Sequence, residues 1–507
     1  MISMTERRDG PGQDPETRVV QLNVAEQFTL LRSAITDVQE AHRLYKTIKP
    51  TSGIIKLGVQ IADALVDLGQ DPEDLLTSIT DLTKTSDDSQ FKAIGFYGLA
   101  GIYAKQGKFE VAEPLLQQAS AADPDGYYSE GYLRVAEEAA RQGRDPNPYI
   151  QKAVEITGSD FSKTITAHKS AKVASTMKRV GQDPKGFLDS VVKSAESTLQ
   201  GPYDSWILGQ TYAYLIPCFA ECGFLDDALT TFSKLKNTTY KGYAIDLIGL
   251  ISTKLIQAGQ LDQALELIKD IQDPAEDSFP SAPGITSSAA FHARETPKAY
   301  EFIDEALKRT SELNQRINHA PDRLEHLRKP NAYNLLNIAI AQIGAGIDSE
   351  ETFLQAYAQI IAIAKLSDRA EALSVFAKVR QSTGIDSRDI FNQALEVADT
   401  AYDYSKPRSK DLTGDWQSDA LDETDQIWAY TKIGEDAVES GYDDLSDLVL
   451  QKLDGLVPRL PYYDDEQNAE DKINLLLKRA NSRQKRSKRQ ELVQLSKDHE
   501  PQYFNQG

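Results

Sequence analysis

Apolar residues return at intervals of three and four from the first structured segment onward. Val24, Phe28, Leu31, Ile35, Val38, Ala41 and Tyr45 line one face of a helix predicted from Val24 to Ile48, and Pro50 ends it. The helical period then continues, broken at regular points by a glycine: Gly69, Gly107, Gly143, Gly181, Gly223, Gly259, Gly346, Gly384 and Gly441. The steps are 38, 36, 38, 42, 36, 87, 38 and 57 residues, where 87 is close to two periods and 57 reads as one period plus an insertion. One glycine per unit, with a fresh helix start behind it, is the pattern of a stacked helical-hairpin array. The expected fold is all-α: an α-solenoid, a right-handed superhelix of about ten antiparallel hairpins between residues 50 and 458.

The punctuation has its own chemistry. Gly69 is placed to close the helix Ile54 to Leu68 in the left-handed conformation. Asp71 then caps the next helix, and Pro72 sits in its first turn, where a missing N–H is harmless. The same Gly-x-Asp-Pro returns at Gly143–Pro146 and Gly181–Pro184, with Ser replacing Pro after Asp348 and Asp386. Each link is short enough to force an antiparallel hairpin. Asp123-Pro124 and Asp273-Pro274 read as a second mark, between hairpins.

Three segments break the rhythm. Asp273 to Pro297 is rich in Pro, Ser and Ala and reads as a long loop, which makes it a candidate hinge between arrays at 50–273 and 331–458. Ile317 to Pro330 reads as irregular around a degenerate hairpin at 297–316. Tyr402 to Asp422, with Pro407 and Gly414, is the third. The expected organisation is a disordered N-terminus at 1–20, a helix at 21–50, repeats at 51–273, an irregular insert at 274–330, repeats at 331–458, and a C-terminal helix with a basic tail at 459–507.

Charge adds a bias but no chemistry. The 507 residues carry a net charge of −21, and Lys478 to Arg489 holds seven basic residues and no acid, so the rest is more acidic still. Such a body repels nucleic acid and anionic membranes; its charge keeps a long array soluble or suits a basic partner. Nucleic acid is expected only through the tail, at Arg483, Lys485, Arg486, Lys488 and Arg489, which also reads as a solvated end or as a segment folded onto the acidic body. No signal-like apolar stretch or membrane span is evident, and the location expected is cytoplasmic. The oligomeric state is not legible.

Phe96, Leu99, Ala100, Tyr103, Gly107, Phe109, Ala112, Leu116, Ala119 and Pro124 carry a family resemblance. Tyr212, Leu215, Phe219, Gly223, Leu225, Ala228, Phe232 and Leu235 fall on the same register, as do Ile248 to Ile271 and, for one helix, Leu373 to Gly384. The spacing resembles the tetratricopeptide repeat, with units longer than that family's 34 residues. The resemblance implies protein or peptide binding on the concave face made by each hairpin's first helix. Carried over, that face holds Tyr97, Lys105, Gln210, Asp246, Thr253 and Lys378. The basic and amide set that grips a C-terminal carboxylate in chaperone-binding members is not matched, since Tyr97 and Gly101 stand at two of its places.

Other chemistry is sparse. Cys218 and Cys222 lie four apart on a helix and read as packing; a metal pair would need further ligands. His319 and His326, with Asp322 and Glu325, read as a solvated loop or a metal site. The acid runs Tyr462 to Glu466 and Gly441 to Asp444 read as helix starts, the first alternatively as a site for a cation or basic peptide. No phosphate loop, dinucleotide fingerprint or nucleophile elbow occurs, and no cofactor is implied. The function expected is a non-enzymatic adaptor or scaffold. Its rivals are a regulatory or sensor protein acting through the basic tail, and an all-helical enzyme with an acid pair in the groove.

Overall fold

A computed structural model describes residues 24–46, 54–122, 129–158, 164–199, 204–238, 244–271, 281–401, 417–456 and 465–498. The described residues hold twenty-three α-helices and no strand. The expectations for residues 1–20, for Asp123-Pro124 and Asp273-Pro274, for 402–416 and for 462–464 lie outside them.

The punctuating glycines explain why the chain stacks as it does. All nine have φ between 67° and 90°, and Gly158 joins them at 71°. At the first, Gly69 N–H donates to Val66 O and Gln70 N–H to Leu65 O, at 3.0 and 2.8 Å. This double closure satisfies the last carbonyls of the helix and needs a residue without a Cβ penalty. The same pair of bonds recurs at each of the other eight expected positions. The aspartates behave alike. Asp71, Asp145, Asp183, Asp348 and Asp386 each accept the backbone N–H two residues on, at 3.0 to 3.1 Å, and so start the next helix.

The chain forms two compact units, Ile48–Ala364 and the pair Met1–Thr47 with Lys365–Gly507. In the larger unit the first helices are α2 (Ile55–Asp67), α4 (Ser89–Lys105), α6 (Ser129–Arg141), α8 (Thr164–Arg179), α10 (Asp204–Cys222), α12 (Ala244–Gln257), α14 (Ser281–Ala293) and α17 (Arg328–Gly344). Their hairpin partners are α3 (Glu73–Thr85), α5 (Phe109–Ala122), α7 (Asn147–Thr157), α9 (Lys185–Thr198), α11 (Leu225–Leu235), α13 (Leu261–Lys269), α15 (Ala299–His319) and α18 (Glu350–Ile361). Each first helix packs on its partner and on the next first helix, which is solenoid packing. Small residues bring the first helices close. A Cβ on Gly98 of α4 would lie 2.7 Å from the Val59 side chain of α2. Behind them Phe96, Ala100, Phe109, Ala112, Leu116 and Ala119 are buried in one core.

The described part of the insert expected at 274–330, residues 281–330, is largely helical. Residues 281–293 form α14, and 299–319 form its partner, a full hairpin in place of a loop and a degenerate one. Composition misleads because the segment is rich in small residues for packing. Ala282, Ala289, Ala290 and Ala293 are buried, and Thr286 and Ser287 donate back to Ala282 O and Gly284 O, at 2.9 and 3.0 Å. Pro283 falls in the first turn, which tolerates it. After α15 the chain forms one short helix, α16 (Pro321–Leu324), and a 3-10 turn, then enters α17 with Pro330 in its first turn. The division between units falls at Ala364 and Lys365, not in 273–330.

The second unit repeats the scheme with α19 (Leu366–Ser382) and α20 (Arg388–Asp399), then α21 (Gln417–Glu439) and α22 (Asp443–Leu456). Residues 417–422, expected as part of an irregular stretch, open α21. The last first helix is α23 (Asp465–Asp498), which packs on α21 and α22. Its partner comes from the other end of the sequence: α1 (Val24–Tyr45) lies along α23 and makes only marginal contact elsewhere. The pairing is antiparallel, since Arg483 donates to Ser33 O at 3.3 Å while Lys472 faces Glu40. The N-terminal helix therefore completes the C-terminal hairpin.

Candidate functional site

A groove of about 440 Å³ opens on the first-helix face of the larger unit, lined solely by α6, α8 and α10. Counting back from each punctuating glycine gives its register. Nine residues before Gly143, Gly181 and Gly223 stand Arg134, Lys172 and Tyr214; thirteen before stand Glu130, His168 and Gln210. Steps of four and three keep these positions on one helix face.

The groove's charges are tied across helices. Lys172 of α8 pairs with Glu130 of α6, and Arg179 of α8 with Glu137 of α6 at 2.6 Å. Arg134 of α6 reaches Asp63 of α2 at 2.7 Å by lying across α4, where a Cβ on Gly101 would come within 2.4 Å of it. Asp63 also receives Lys105 at 2.9 Å. All these side chains remain partly exposed, so water screens the pairs and each is worth roughly 0–1 kcal/mol.

The far wall belongs to α10. The Tyr214 ring meets His168 edge-on, with centroids 5.2 Å apart. Burial, reinforced by Lys172, holds the His168 imidazole below its usual range, against the opposing pull of Glu130. Pro217 removes one backbone hydrogen bond from α10 beside the groove. Cys218 lines the floor; its thiol donates to Ala171 O at 3.5 Å. The hydrogen bond that Cys218 donates to Cys222, together with burial, pushes the Cys218 thiol well above the usual range, so it is a poor nucleophile. Both cysteines are free and buried.

Of the expected groove residues, Tyr97 and Lys105 lie on α4, Gln210 on α10, Asp246 and Thr253 on α12, and Lys378 on α19 of the other unit. Five of the six thus lie on the larger unit, spread over three first helices. Tyr97 packs against Gly131, where a Cβ would fall 2.5 Å from the tyrosine Cβ, and burial raises its phenol. Lys105 is held by Asp63 and Asp67. Gln210 stands one turn before Tyr214, and its amide oxygen is buried without a partner. Thr253 is half-buried, and the Asp246 side chain lies outside the described residues. Lys378 belongs to a second charged network, where it meets the buried Asp436 at 3.3 Å and Glu439 at 2.5 Å, while Ser374 donates to Asp436 at 2.6 Å. The groove residues Glu130, Arg134, Glu137, His168, Lys172, Arg179 and Tyr214 escaped the sequence reading. They sit largely on units without the full repeat signature, yet the glycine count locates most of them.

Several of the other expected residues are engaged internally, while the side chains of Tyr462 to Glu466 and of Asp322 lie outside the described residues. Asp443 binds Arg483 and Arg486, at 3.1 and 2.9 Å, and Asp444 binds Arg388 at 2.5 Å. Glu325 is taken up by Arg328 at 2.7 Å and by the Ala364 N–H at 2.8 Å, and His319 contacts the Gln315 carbonyl. The basic stretch is not a free arm through Arg486. Arg479 and Arg483 are buried around Asp37 of α1, and of the named residues whose side chains are described, Lys485 is exposed and Arg486 half-buried. The side chains of Lys488 and Arg489 lie outside the described residues. The reason is the apolar seam around them: Ile473, Leu476 and Ala480 of α23 are buried, as are Ala34, Val38 and Ala41 of α1. Burial pushes the Asp37 carboxyl up to about 6, in spite of the two guanidiniums beside it. Among the described residues, no helix is long and apolar enough to cross a membrane.

No protein-family model matches the chain, and no curated protein matches it. A solved structure described as a "Circular tandem repeat protein with novel repeat topology and enhanced subunit contact surfaces" is similar at 13% identity, over 90% of this chain and 99% of that one, with a TM-score of 0.20. At that score the likeness bears no weight, and the reading of this chain as a helical repeat protein rests on its own packing.

Proposed function

We propose that this protein is a non-enzymatic scaffold of tetratricopeptide-like repeats that binds an extended segment of a partner protein in the groove on α6, α8 and α10. The carrying observation is the groove itself: three consecutive first helices expose a cleft whose ion pairs, Lys172–Glu130 and Arg179–Glu137, hold opposite charges ready for exchange. A ligand side chain gains by replacing one member of a screened pair, and Tyr214, 40% exposed, offers an aromatic face. The acidic body favours a basic segment. The repeat assignment draws on the burial of Leu99, Ala100, Phe109, Ala112, Leu116 and Ala119, the small and large positions of that repeat. The raised Cys218 thiol weighs against nucleophilic chemistry in the groove, and the engagement of Arg479, Arg483 and Arg486 weighs against a sensor acting through a free tail.

The test is affinity capture from the native cell with wild-type protein and with a Glu130→Lys, Glu137→Lys variant. The expected outcome is one partner recovered in stoichiometric amount by wild type and lost with the variant. Recovery unchanged by the variant removes the groove as the site. Recovery of no stoichiometric partner by either form removes the scaffold reading.

A further inference from the structure

Helix α1 stands apart from every other second helix of the array. The others follow their first helix within a few residues of chain, whereas Asp37 and Arg483 are 446 positions apart. Helix α1 is tethered instead to α2, through residues 46–54, and rests on α23 with only marginal contact to any other helix. Nothing in the covalent chain makes the α23 of its own molecule the necessary partner.

The surface beneath α1 is specific. On α23 an apolar seam carries Arg479 and Arg483, each 7% exposed at the side chain. Helix α22 adds Asp447, 2.5 Å from Arg479, and Asp443, 3.1 Å from Arg483 and 2.9 Å from Arg486. Without α1 three guanidiniums face two carboxylates in this cluster. Asp37 is the third carboxylate and sits between two of the three guanidiniums. A buried group of this kind adds little stability, but it strongly penalises a wrong partner, because an unpaired buried charge is costly. The seam therefore selects an amphipathic helix with one acid at its centre, and α1 is that helix.

We propose that α23 is an interaction surface for α1 of a second copy of this chain, so that two copies exchange their N-terminal helices and complete each other's last hairpin. Exchange leaves every contact of the seam unchanged and alters only which molecule supplies α1, which makes it a low-cost route to a symmetric dimer. In a single copy α1 and α23 belong to one covalent chain, so the self-paired form prevails in dilute solution.

Charge reversal in two full-length copies isolates the exchanged form. One copy carries Asp37→Arg; the other carries Arg479→Asp with Arg483→Asp. Within either copy α1 and α23 now repel, whereas both cross-pairings between the two copies match. The expected result is that each variant alone runs as a monomer by light scattering, with rapid hydrogen exchange across residues 24–45. A one-to-one mixture gives a species of twice the monomer mass with protection restored. A mixture that stays at monomer mass, with residues 24–45 unprotected, overturns the proposal. Should the doubly substituted copy fail to fold, the Asp37→Arg protein is titrated with a synthetic peptide of residues 24–45. The native peptide is expected to bind at least about tenfold more tightly than the same peptide with Asp37→Arg. Equal binding of the two peptides, or none, overturns it as well.

Discussion

Single positions decide how closely the helices approach. A Cβ on Gly131 would come within 2.5 Å of Tyr97 Cβ, which is fixed to the backbone, and 2.9 Å of a terminal methyl of the fully buried Leu116. Gly131→Ala is therefore expected to cost about 1–3 kcal/mol through overpacking, more than the roughly 1 kcal/mol alanine gains in helix propensity, read as a lowered urea midpoint. An unchanged midpoint would mean that α4 and α6 separate freely. Asp37 gives a pH dependence. Its folded value of about 6 lies above the ordinary 3.8, so its contribution is complete below about pH 4 and is lost as pH rises through 6. The loss is on the order of 2–3 kcal/mol. Unfolding of the α1–α23 pair is expected to become easier between pH 4 and pH 7, and Asp37→Asn should flatten that slope; a slope that survives the substitution assigns it to another group. The residue scale was also the most legible. Gly69 with Asp71, and their counterparts, act through bonds closed within a few residues, so their positions alone carried the information.

Helices were legible where their own sequence decides them and not where a neighbour does. Helix α5, with Phe109, Ala112, Leu116 and Ala119 on one face, declares itself. Helix α14 does not, because Ser281 to Ala293 becomes helical by burying small side chains between α12 and α17, and a solitary reading of Pro, Gly and Ser gives a loop. The groove was only partly legible: Gln210 was named one turn from Tyr214, whereas Glu130, His168 and Lys172 carry no repeat signature and were not named. Helix α1 is held by one neighbour where α10 is held by several. Its backbone amides are thus expected to exchange with solvent faster than those of α10, as measured by hydrogen exchange. Equal protection would mean that the α1 seam opens only with the whole unit.

At the scale of the molecule the two units matter more than the count of hairpins. Stability in a repeat array is a sum over neighbouring interfaces, so damage stays near its source. Leu99→Ala in the larger unit is expected to cost about 2–5 kcal/mol and to lower one calorimetric transition while leaving that of the second unit in place. A single transition moving as a whole would show that the units unfold together. This division was invisible in the sequence, because the glycine rhythm runs through 346 and 384 without a mark at Ala364.

The split hairpin of α1 and α23 has a consequence in time. Synthesis proceeds at about 5–20 residues per second, so α1 leaves the ribosome roughly 20–90 s before the segment that covers it. Throughout that interval Ala34, Val38, Ala41 and Leu44 have no native cover, and a prematurely ended product never provides one. The last repeat closes only on a chain translated through Arg483, and any chain stopped short presents a sticky N-terminal helix to the cell's chaperones and proteases.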